Sequence, residues 1–402
     1  MFTILEIMRL LILGSACLFS STNAFRYASL TARKGVSVSR TGARSELPPL
    51  QGLPSIVAQA ATSVAPSGAS GLFGSIISKP TQLYPLVAAV LACLVYLRRI
   101  LWTPSRTYDR EANSVGREYD AWTSEGILEY YWGEHIHLGY YTDEMRKKGY
   151  LRKNFIEAKY DFIDEMAKWG GISELKPAKV LDVGCGIGGT TRFLANKFGK
   201  GTQVSGITLS QMQVDRATQL AKDRGISNAD FQVMDALNMD FPDNTFDVVW
   251  ACESGEHMPD KKKYVEEMTR VLKPGGKIVV ATWCQRDLNG IPFSTNERKM
   301  LDFLYAEWTH PYFISISDYA NLMDGTGSLE SISTDDWAAE TIPSWRHSIW
   351  VGVFDPWPVF RRPHLWWKTL RDGITLERMH QAFTDGLMQY GMMKATKKPI
   401  TA

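Results

Sequence analysis

Short apolar runs separated by polar segments of helix length recur through the middle of the chain. Three of these runs are Val180–Val183, Gln203–Thr208 and Phe231–Met234. The first run leads through glycines into a helix opened by Thr190 and Thr191, and Ser210 caps the helix that follows the second run. This alternation predicts successive strand–helix–strand units and therefore a parallel sheet.

A fourth run, Thr245–Glu253, is apolar on both faces, as a central strand of a parallel sheet requires. An amphipathic helix follows and ends at Pro274-Gly275-Gly276, and Lys277–Thr282 predicts one more strand. We therefore expect an α/β fold with a doubly wound, Rossmann-like sheet over residues 179–289 and a ligand crevice at the carboxyl ends of its strands. Residues 103–178 would form an N-terminal helical cap or lid.

Beyond Asn289 the regular alternation is lost, so residues 290–402 are expected to complete the core and to add a substrate-binding region. Helices are predicted over Ser294–Trp308 and Ile316–Met323, and Ser328–Trp337 resembles a late strand. Residues 340–370 are rich in tryptophan and proline. Such tryptophans either pack in a core or line a large apolar site, and we expect residues 340–370 to line the mouth of the site.

The beginning of the chain has the pattern of a targeting sequence. Leu10–Phe19 is a short apolar run followed by small residues, which predicts a signal peptide over 1–24. Residues 25–46 are rich in arginine and serine and poor in acids, as in a transit peptide. Together the two segments resemble the two-part plastid targeting sequence of algae with complex plastids, with plain secretion as the alternative.

A linker and a hydrophobic helix are predicted next. Residues 47–82 are rich in Pro, Gly, Ser and Ala and carry almost no charge, which predicts a low-complexity linker. Residues 83–102 are apolar up to Arg98-Arg99 and approach the roughly 20 residues that a membrane-spanning helix needs. We interpret this segment as a membrane anchor, and a buried core helix is the alternative.

Composition narrows the class of partner and of compartment. The net charge of the 402 residues is +2, so the totals give no reason to expect nucleic acid as a partner. The 5 cysteines form no C-x-x-C pair and no disulfide framework, which favours a reducing compartment. No obligate protein partner is inferred from the sequence.

A glycine-rich loop follows the first predicted strand. Gly184, Gly186 and Gly189 satisfy G-x-G-x-x-G, a pattern that by itself also fits NAD. A dinucleotide fold places an acid about 20 residues further on for the ribose, whereas this chain has Thr208 there. Together with Asp182 within the strand, this departure disfavours NAD.

Several motifs together resemble one enzyme family. "VLDVGCGIGG", the acid Asp235 and "LKPGG" are similar to class I S-adenosylmethionine-dependent methyltransferases, and "GITLS", "ESGEHMPDK" and "TWCQRDL" are similar to the tocopherol and plastoquinol methyltransferases. "YDAWTSEGILEYYWGEHIHLGYY" and the "QYGMMKATKK" tail resemble the cyanobacterial-type 2-methyl-6-phytylbenzoquinol methyltransferases. The resemblance covers about Tyr108 to Lys398.

The resemblance implies S-adenosylmethionine as co-substrate. Residues expected to bind it are Asp182, Gly184, Cys185, Gly186, Gly188, Thr208, Leu209, Ser210, Gln213, Asp235, Ala236 and Glu253. Asp182 would organise the glycine loop, Asp235 would accept a hydrogen bond from the adenine amino group, and Glu253 would belong to the cofactor floor or cap a helix. Cys185 is expected to have no covalent role.

"YYWGEHIHLGYY", residues 130–141, is the candidate catalytic segment. Two histidines at i, i+2 have too few companions for a zinc site, so no metal is expected. The segment is either a packed hairpin or a lid over the acceptor ring. In the lid reading the candidate bases are His137, His135 and His257, with Glu134 or Glu256 as orienting partners, because histidine near its ordinary pKa suits a general base at neutral pH.

The expected activity is ring C-methylation of a prenylated benzoquinol in a plastid membrane, a lipophilic substrate that would account for both the hydrophobic helix and the tryptophan-rich region. O-Methylation of γ- or δ-tocopherol is the second hypothesis. Sterol C-methyltransferases share an element like "GITLS", but their tail pattern is missing here. A non-catalytic membrane protein with a scaffold domain is the third hypothesis, and the joint presence of Asp182, Gly184, Gly186 and Asp235 argues against it.

Overall fold

The structure is a computed structural model that describes residues 80–399. The predicted signal peptide over 1–24 and the predicted transit segment over 25–46 lie outside the described residues, as does the predicted linker up to residue 79. The last three residues of that linker belong instead to the first helix, α1, which spans Pro80–Leu101.

The cap and the first half of the sheet follow in chain order. The cap helices are α2 (Ser114–Glu125), α3 (Ile127–Trp132), α4 (Asp143–Lys148) and α5 (Phe155–Trp169). The alternating elements are β1 (Lys179–Val183), α6 (Gly189–Phe198), β2 (Gln203–Thr208), α7 (Gln211–Asp223), β3 (Ala229–Val233) and β4 (Phe246–Cys252). The strand–helix alternation predicted from the sequence is confirmed for this half of the fold.

The second half departs from simple alternation. Its elements are α8 (Lys261–Val271), β5 (Leu272–Gln285), α9 (Thr295–Glu307), α10 (Ile316–Gly325), β6 (Leu329–Asp336), α11 (Ala338–Phe354), α12 (Trp357–Phe360), α13 (Trp366–Thr384) and β7 (Met388–Lys397). Strand β5 begins five residues before the predicted Lys277, because Leu272 pairs with Phe246 on the other side of a register shift. The late strand predicted over Ser328–Trp337 is present as β6.

Within the described residues seven strands form one sheet, in the order β3-β2-β1-β4-β5-β7-β6. Strands β1 to β5 are parallel to one another, and β7 runs antiparallel between β5 and β6. The order reverses between β1 and β4, and ligands of open α/β sheets bind at such a switch point. The "QYGMMKATKK" tail thus forms most of β7, an internal strand of the sheet, and β6 is the edge strand beside it.

Two apolar layers cover the two faces of the sheet, and β4 contributes to both. Val248 and Trp250 pack into the layer that includes helices α5, α6, α9 and α13. Val249 and Ala251 alternate with them and pack into the layer of α8 and α10. This is the two-sided burial that its continuous apolar sequence predicted.

Helix α1 differs from the predicted membrane-spanning anchor over 83–102. Among the residues that the structure describes, no helix is sufficiently long and apolar to cross a membrane. The helix carries two charges, Arg98 and Arg99, in its last turn, and its end is tied to the protein. Arg371 donates to Ile100 O at 3.1 Å and Arg378 donates to Leu101 O at 2.8 Å.

Candidate active site

A cavity of about 320 Å³ lies at the carboxyl ends of β1, β2 and β4, at the switch point of the sheet. Its floor comes from the loops after these strands. Its roof comes from α2, from the segment before α2, and from residues 134–137 of the cap. Burial under the cap keeps water away from one end of the cavity, which strengthens the electrostatic effect of every polar group there.

The glycine loop after β1 forms a close-fitting cradle. Gly184 has a φ of 84° and lines the cavity, and a Cβ at this position would lie 2.3 Å from Ser254 Cβ. Gly188 has a φ of 77°, but its added Cβ would meet the ring of Phe231 at 2.4 Å. Gly188 does not line the cavity. It therefore allows α6 to pack against β3, and its contact with the cofactor stays a prediction.

Asp182 near the end of β1 lines the cavity and binds the first turn of α6, which directly follows the glycine loop. Its Oδ2 accepts a hydrogen bond from Thr191 Oγ1 at 2.6 Å. Burial raises the pKa of Asp182 to about 7. Burial likewise raises the pKa of the Cys185 thiol well above its ordinary value, so Cys185 stays protonated and is a poor nucleophile.

The first turn of α7, which follows β2, presents an unpaired donor. Thr208 Oγ1 donates to Gln213 Oε1 at 2.7 Å, which fixes the amide, while the buried Gln213 Nε2 has no partner within the described residues. An added Cβ on Gly186 would lie 3.9 Å from this nitrogen. A buried amide without a partner is unfavourable, so its position beside the glycine loop indicates a missing acceptor.

Further residues predicted for the cofactor complete this end of the cavity. Ser210 caps α7 by accepting from Gln213 N–H at 3.0 Å, and its own hydroxyl donates to Asp120 of the cap. Asp235 Oδ1 accepts from Leu237 N–H at 2.9 Å, and its Oδ2 lies 3.6 Å from the Arg110 guanidinium at the cavity mouth. Leu209 and Ala236 also line the cavity.

Residues 133–142 form an irregular buried segment between α3 and α4 and contain no strand, so the hairpin interpretation of residues 130–141 is wrong. His135 and His137 both line the cavity, with ring centroids 5.5 Å apart. His137 Nδ1 lies 2.8 Å from Leu138 O and so carries the hydrogen, while His137 Nε2 is buried without a partner among the described residues. An acceptor lone pair is therefore available at His137 Nε2.

Burial changes the acid–base character of these histidines. It lowers the pKa of His137 to about 3 and that of His257 to about 4, and it lowers the pKa of His135 well below its ordinary value. The expectation of histidines near their ordinary pKa is therefore wrong. All three are neutral at physiological pH and are weak bases, because an efficient general base has a pKa near the working pH.

Glu134 holds the segment 133–142 in place through two arginines and does not orient a histidine. Its Oε2 accepts from Arg192 at 2.5 Å, and its Oε1 accepts from Arg224. The Arg192 side chain is almost completely buried and also donates to Ile187 O at 2.7 Å in the glycine loop. Glu134 thereby connects the cap to α6 and to the end of α7.

His257 has a partner that the sequence did not indicate. Tyr119 of α2 places its hydroxyl 3.1 Å from His257 Nε2, and both side chains line the cavity. Glu256 was expected to orient this histidine, but it lies outside the cavity, buried, with Oε1 accepting from Trp283 N–H at 2.8 Å.

Glu253, the first residue after β4, joins three parts of the fold. It has a φ of 51°, in the left-handed region, and its N–H donates to Ala281 O on β5 at 2.8 Å. Its Oε1 accepts from Leu138 N–H in the lid at 2.8 Å and from the Tyr390 hydroxyl on β7 at 2.6 Å. The residue that precedes the short helical turn is Ser254, so the helix-cap alternative for Glu253 is wrong, whereas its place in the cofactor floor stays a prediction.

The structure brings most of the predicted residues to one cavity. The exceptions are Gly188 and Glu256, as described above. Residues 340–370, expected at the mouth, do not line the cavity either. Trp345 is buried and packs against Trp308 and Phe383 in the core, whereas Trp357 and Trp367 are exposed on the outer surface.

The α2 region supplies cavity residues that the sequence analysis did not single out. The cavity lining includes Tyr108, Arg110, Asn113 and Tyr119. Asp120 does not line the cavity and accepts a hydrogen bond from the Ser210 hydroxyl. His257, the partner of Tyr119, lies 138 positions away in sequence, and Ser210, the partner of Asp120, lies 90 positions away. No local sequence pattern therefore predicts these contacts. The signal that could have identified these cavity residues is their position within the range of the family resemblance, which begins at about Tyr108.

Known proteins share this architecture and much of the sequence. The methyltransferase-domain family matches residues 180–276. The 2-methyl-6-phytyl-1,4-hydroquinone methyltransferase of Synechocystis sp. is 42% identical over 80% of this chain and 97% of its own length. The tocopherol O-methyltransferase of Arabidopsis thaliana, a chloroplastic protein, is 36% identical over 68% of this chain and 79% of its own length.

A solved structure has the same fold at lower identity. The geranyl diphosphate C-methyltransferase of Streptomyces coelicolor A3(2) superimposes with a TM-score of 0.56 at 19% identity, over 73% of this chain and 100% of its own. That likeness establishes the architecture of sheet and cap and carries no information on the acceptor.

Proposed function

The chain belongs to the S-adenosylmethionine-dependent methyltransferases, in the family of the 2-methyl-6-phytyl-1,4-hydroquinone and tocopherol methyltransferases, and we propose that it methylates a ring carbon of a prenylated benzoquinol. The observation that carries the proposal is the 42% identity to the Synechocystis enzyme across nearly its whole length. The proposed acceptor is 2-methyl-6-phytylbenzoquinol.

The cavity end formed by the glycine loop suits S-adenosylmethionine. The unpaired Gln213 Nε2 offers a donor to a ribose hydroxyl, and Asp235 beside Ala236 offers an acceptor to the adenine amino group. Gly184 and Gly186 let the backbone approach the methionine part without side-chain interference. When bound, the cofactor supplies an electrophilic methyl group on a sulfonium.

The other end of the cavity suits an aromatic acceptor. His137 Nε2 can accept a hydrogen bond from an acceptor hydroxyl, and Ile136 and Met258 contribute apolar lining. Methyl transfer is an in-line displacement, so holding the acceptor beneath the lid supplies much of the rate by positioning. Exclusion of water by the lid also protects the activated methyl donor from hydrolysis.

Tocopherol O-methylation is the second candidate, favoured by the identity to the plant enzyme. The two activities differ in the acceptor and in the atom methylated. A non-catalytic scaffold is disfavoured, because the lid, the glycine cradle and the unpaired Gln213 donor meet in one cavity.

An acceptor assay separates the two activities. The full chain in detergent is incubated with methyl-labelled S-adenosylmethionine and with either 2-methyl-6-phytylbenzoquinol or γ-tocopherol. We expect label in the benzoquinol, on a ring carbon by mass spectrometry. Label in γ-tocopherol alone would identify an O-methyltransferase, and no cofactor binding by calorimetry would remove both enzyme assignments.

We further propose a plastid location, as in the chloroplastic plant relatives, with α1 against a lipid surface. The side chains of Val87 to Leu97 are exposed in the structure, although most are apolar, and Arg98 and Arg99 follow them. Exposed apolar area is stabilised by about 25 cal/mol per Å² when it leaves water, and basic residues at its edge suit lipid headgroups. A lipophilic prenylquinol would reach the enzyme from the same surface.

Vesicle flotation tests this attachment. The full chain is expected to float with phosphatidylcholine–phosphatidylglycerol vesicles, and the double variant Leu91→Asp/Leu94→Asp is expected to remain at the bottom of the gradient. The matched control is Leu288→Asp/Ile291→Asp, which changes two exposed apolar residues elsewhere and should still float. Equal flotation of both variants would contradict the role of α1.

A further inference from the structure

We infer that Glu253 is the catalytic base, taking the proton of the acceptor hydroxyl next to the ring carbon that is methylated. The inference rests on the proposed function and deepens it. Its basis is the position of the Glu253 carboxyl in the cavity and the different surroundings of its two oxygens.

Glu253 is held where the chemistry is expected. It follows β4 at the switch point of the sheet, and it lines the cavity next to Ser254, which the Gly184 backbone contacts. Its φ of 51° lies in the left-handed region, which is uncommon and strained for a residue with a side chain. Such strain persists where surrounding structure fixes it, and it concentrates at functional sites.

The two carboxyl oxygens are not equivalent. Oε1 accepts two hydrogen bonds, from Leu138 N–H and from the Tyr390 hydroxyl, which fix the side chain to the lid and to β7. Within residues 80–399 Oε2 forms no hydrogen bond, although the unpaired indole N–H of Trp283 approaches the carboxyl. Since Glu253 is only half-buried and lines the cavity, Oε2 is the oxygen that an acceptor reaches.

The histidines are less suited than Glu253 to act as the catalytic base. His137 and His257 have strongly lowered pKa values, about 3 and about 4, because both are buried. Burial, reinforced by the nearby charge of Glu256, raises the pKa of Glu253 to about 8, close to a physiological pH. A base whose pKa lies near the working pH combines a sufficient basic fraction with sufficient driving force for proton transfer.

The proton and electron balance is simple. The acceptor hydroxyl gives its proton to Glu253 Oε2 while the ring carbon bonds to the methyl group, and the electron pair of the breaking S–CH₃ bond stays on sulfur. The ring carbon then carries both hydrogen and methyl, and it releases that hydrogen to water as a proton. The C–H electron pair restores the aromatic ring, and Glu253 returns its proton to the oxygen.

Several groups around Glu253 determine its titration. From its own stretch of chain, Cys252 at the end of β4 and Glu256 in the turn after β4 lie near the Glu253 carboxyl. From the packed elements, Tyr390 on β7, Lys159 on α5 and Tyr119 on α2 face it as well. Tyr390 favours the carboxylate by donating a hydrogen bond, and the Glu256 charge disfavours it.

The decisive experiment is the pH dependence of kcat with 2-methyl-6-phytylbenzoquinol, together with calorimetric binding of S-adenosylmethionine. Since the carboxylate is the active form and its pKa is raised, kcat should increase about tenfold per pH unit below about pH 8 and level off above it. Glu253→Gln should lower kcat at the plateau about 100- to 10,000-fold, abolish this rise, and change cofactor affinity less than about threefold. A histidine base would instead give a flat profile above about pH 5.

Two further variants test whether the pH dependence of kcat follows the surroundings of Glu253, which a purely structural role of Glu253 would not require. Glu256→Gln should move the rise of kcat to lower pH, and Tyr390→Phe should move it to higher pH, because they remove opposite influences on Glu253. A wild-type enzyme that binds the cofactor but methylates neither acceptor would overturn the proposed function. An active wild type with a flat profile, or with a Glu253→Gln variant of similar activity, would overturn the base and leave the proposed function intact.

Discussion

Gly184→Ala is expected to weaken S-adenosylmethionine binding about 100-fold or more, equivalent to about 2.7 kcal/mol or more. The φ of 84° at this position disfavours any residue with a Cβ, by about 1–2 kcal/mol. The added Cβ would also lie 2.3 Å from Ser254 Cβ, and Ser254 cannot withdraw, because its hydroxyl donates to Val183 O at 2.8 Å. The loop must therefore shift, and with it the backbone that faces the cofactor.

The measurement is isothermal titration calorimetry with S-adenosylmethionine on the folded variant. Gly201→Ala is the matched control, since no atom lies within 4 Å of its added Cβ. The control should bind as the wild type does. Unchanged affinity of Gly184→Ala in a protein with wild-type melting temperature would show that the cofactor lies away from this loop.

Glu307→Ala should destabilise the protein by about 3–5 kcal/mol, because it leaves the buried Arg371 guanidinium without its carboxylate and removes one carboxylate partner of Arg106. The Glu307 side chain is completely buried and accepts from Arg371 at 2.6 Å and from Arg106 at 3.1 Å. Arg106 also pairs with Glu118 on α2, the neighbour of Tyr119. We expect the loss to lower the melting temperature by about 10 °C and to reduce turnover, since α2 forms part of the cavity roof.

Thermal unfolding followed by circular dichroism measures this loss. Glu307→Gln keeps the shape and two acceptor lone pairs, so its destabilisation should be clearly smaller. Glu144→Ala removes an exposed partner of Lys148 and should leave the melting temperature almost unchanged. If Glu307→Ala had the same melting temperature as the Glu144→Ala control, the buried network would contribute nothing to holding α2 in place.

The strongest predictions from the sequence were those that rest on local chemistry. Runs of strand length between helical segments predicted β1, β2 and β4 to within a residue or two, and the near-continuous apolar run of β4 follows from its burial on both faces. Glycines that must adopt positive φ marked the loop at Gly184, and the small residues of that loop follow from the need for close approach.

The predictions that failed concern partners distant in sequence. The sequence suggested that Glu134 orients a histidine, but the carboxylate pairs with Arg192, 58 positions away. It suggested tryptophans around the mouth, but the fold buries Trp345 in the core. The membrane-spanning interpretation of residues 83–102 rested on hydropathy alone and is not supported among the described residues.

The sequence by itself determined strands β1 to β6, the glycine cradle and the family, because strand patterning, backbone freedom and motif spacing are properties of neighbouring residues, whereas the antiparallel strand β7 emerged only from the tertiary structure. Only the tertiary structure decided the acid–base roles. Burial turned the histidines into weak bases, and the approach of Leu138, Tyr390 and Glu256 to Glu253 set which of its oxygens is free and where it titrates. A pKa depends on desolvation and on charges within a few ångströms, and both are fixed only when distant segments pack together.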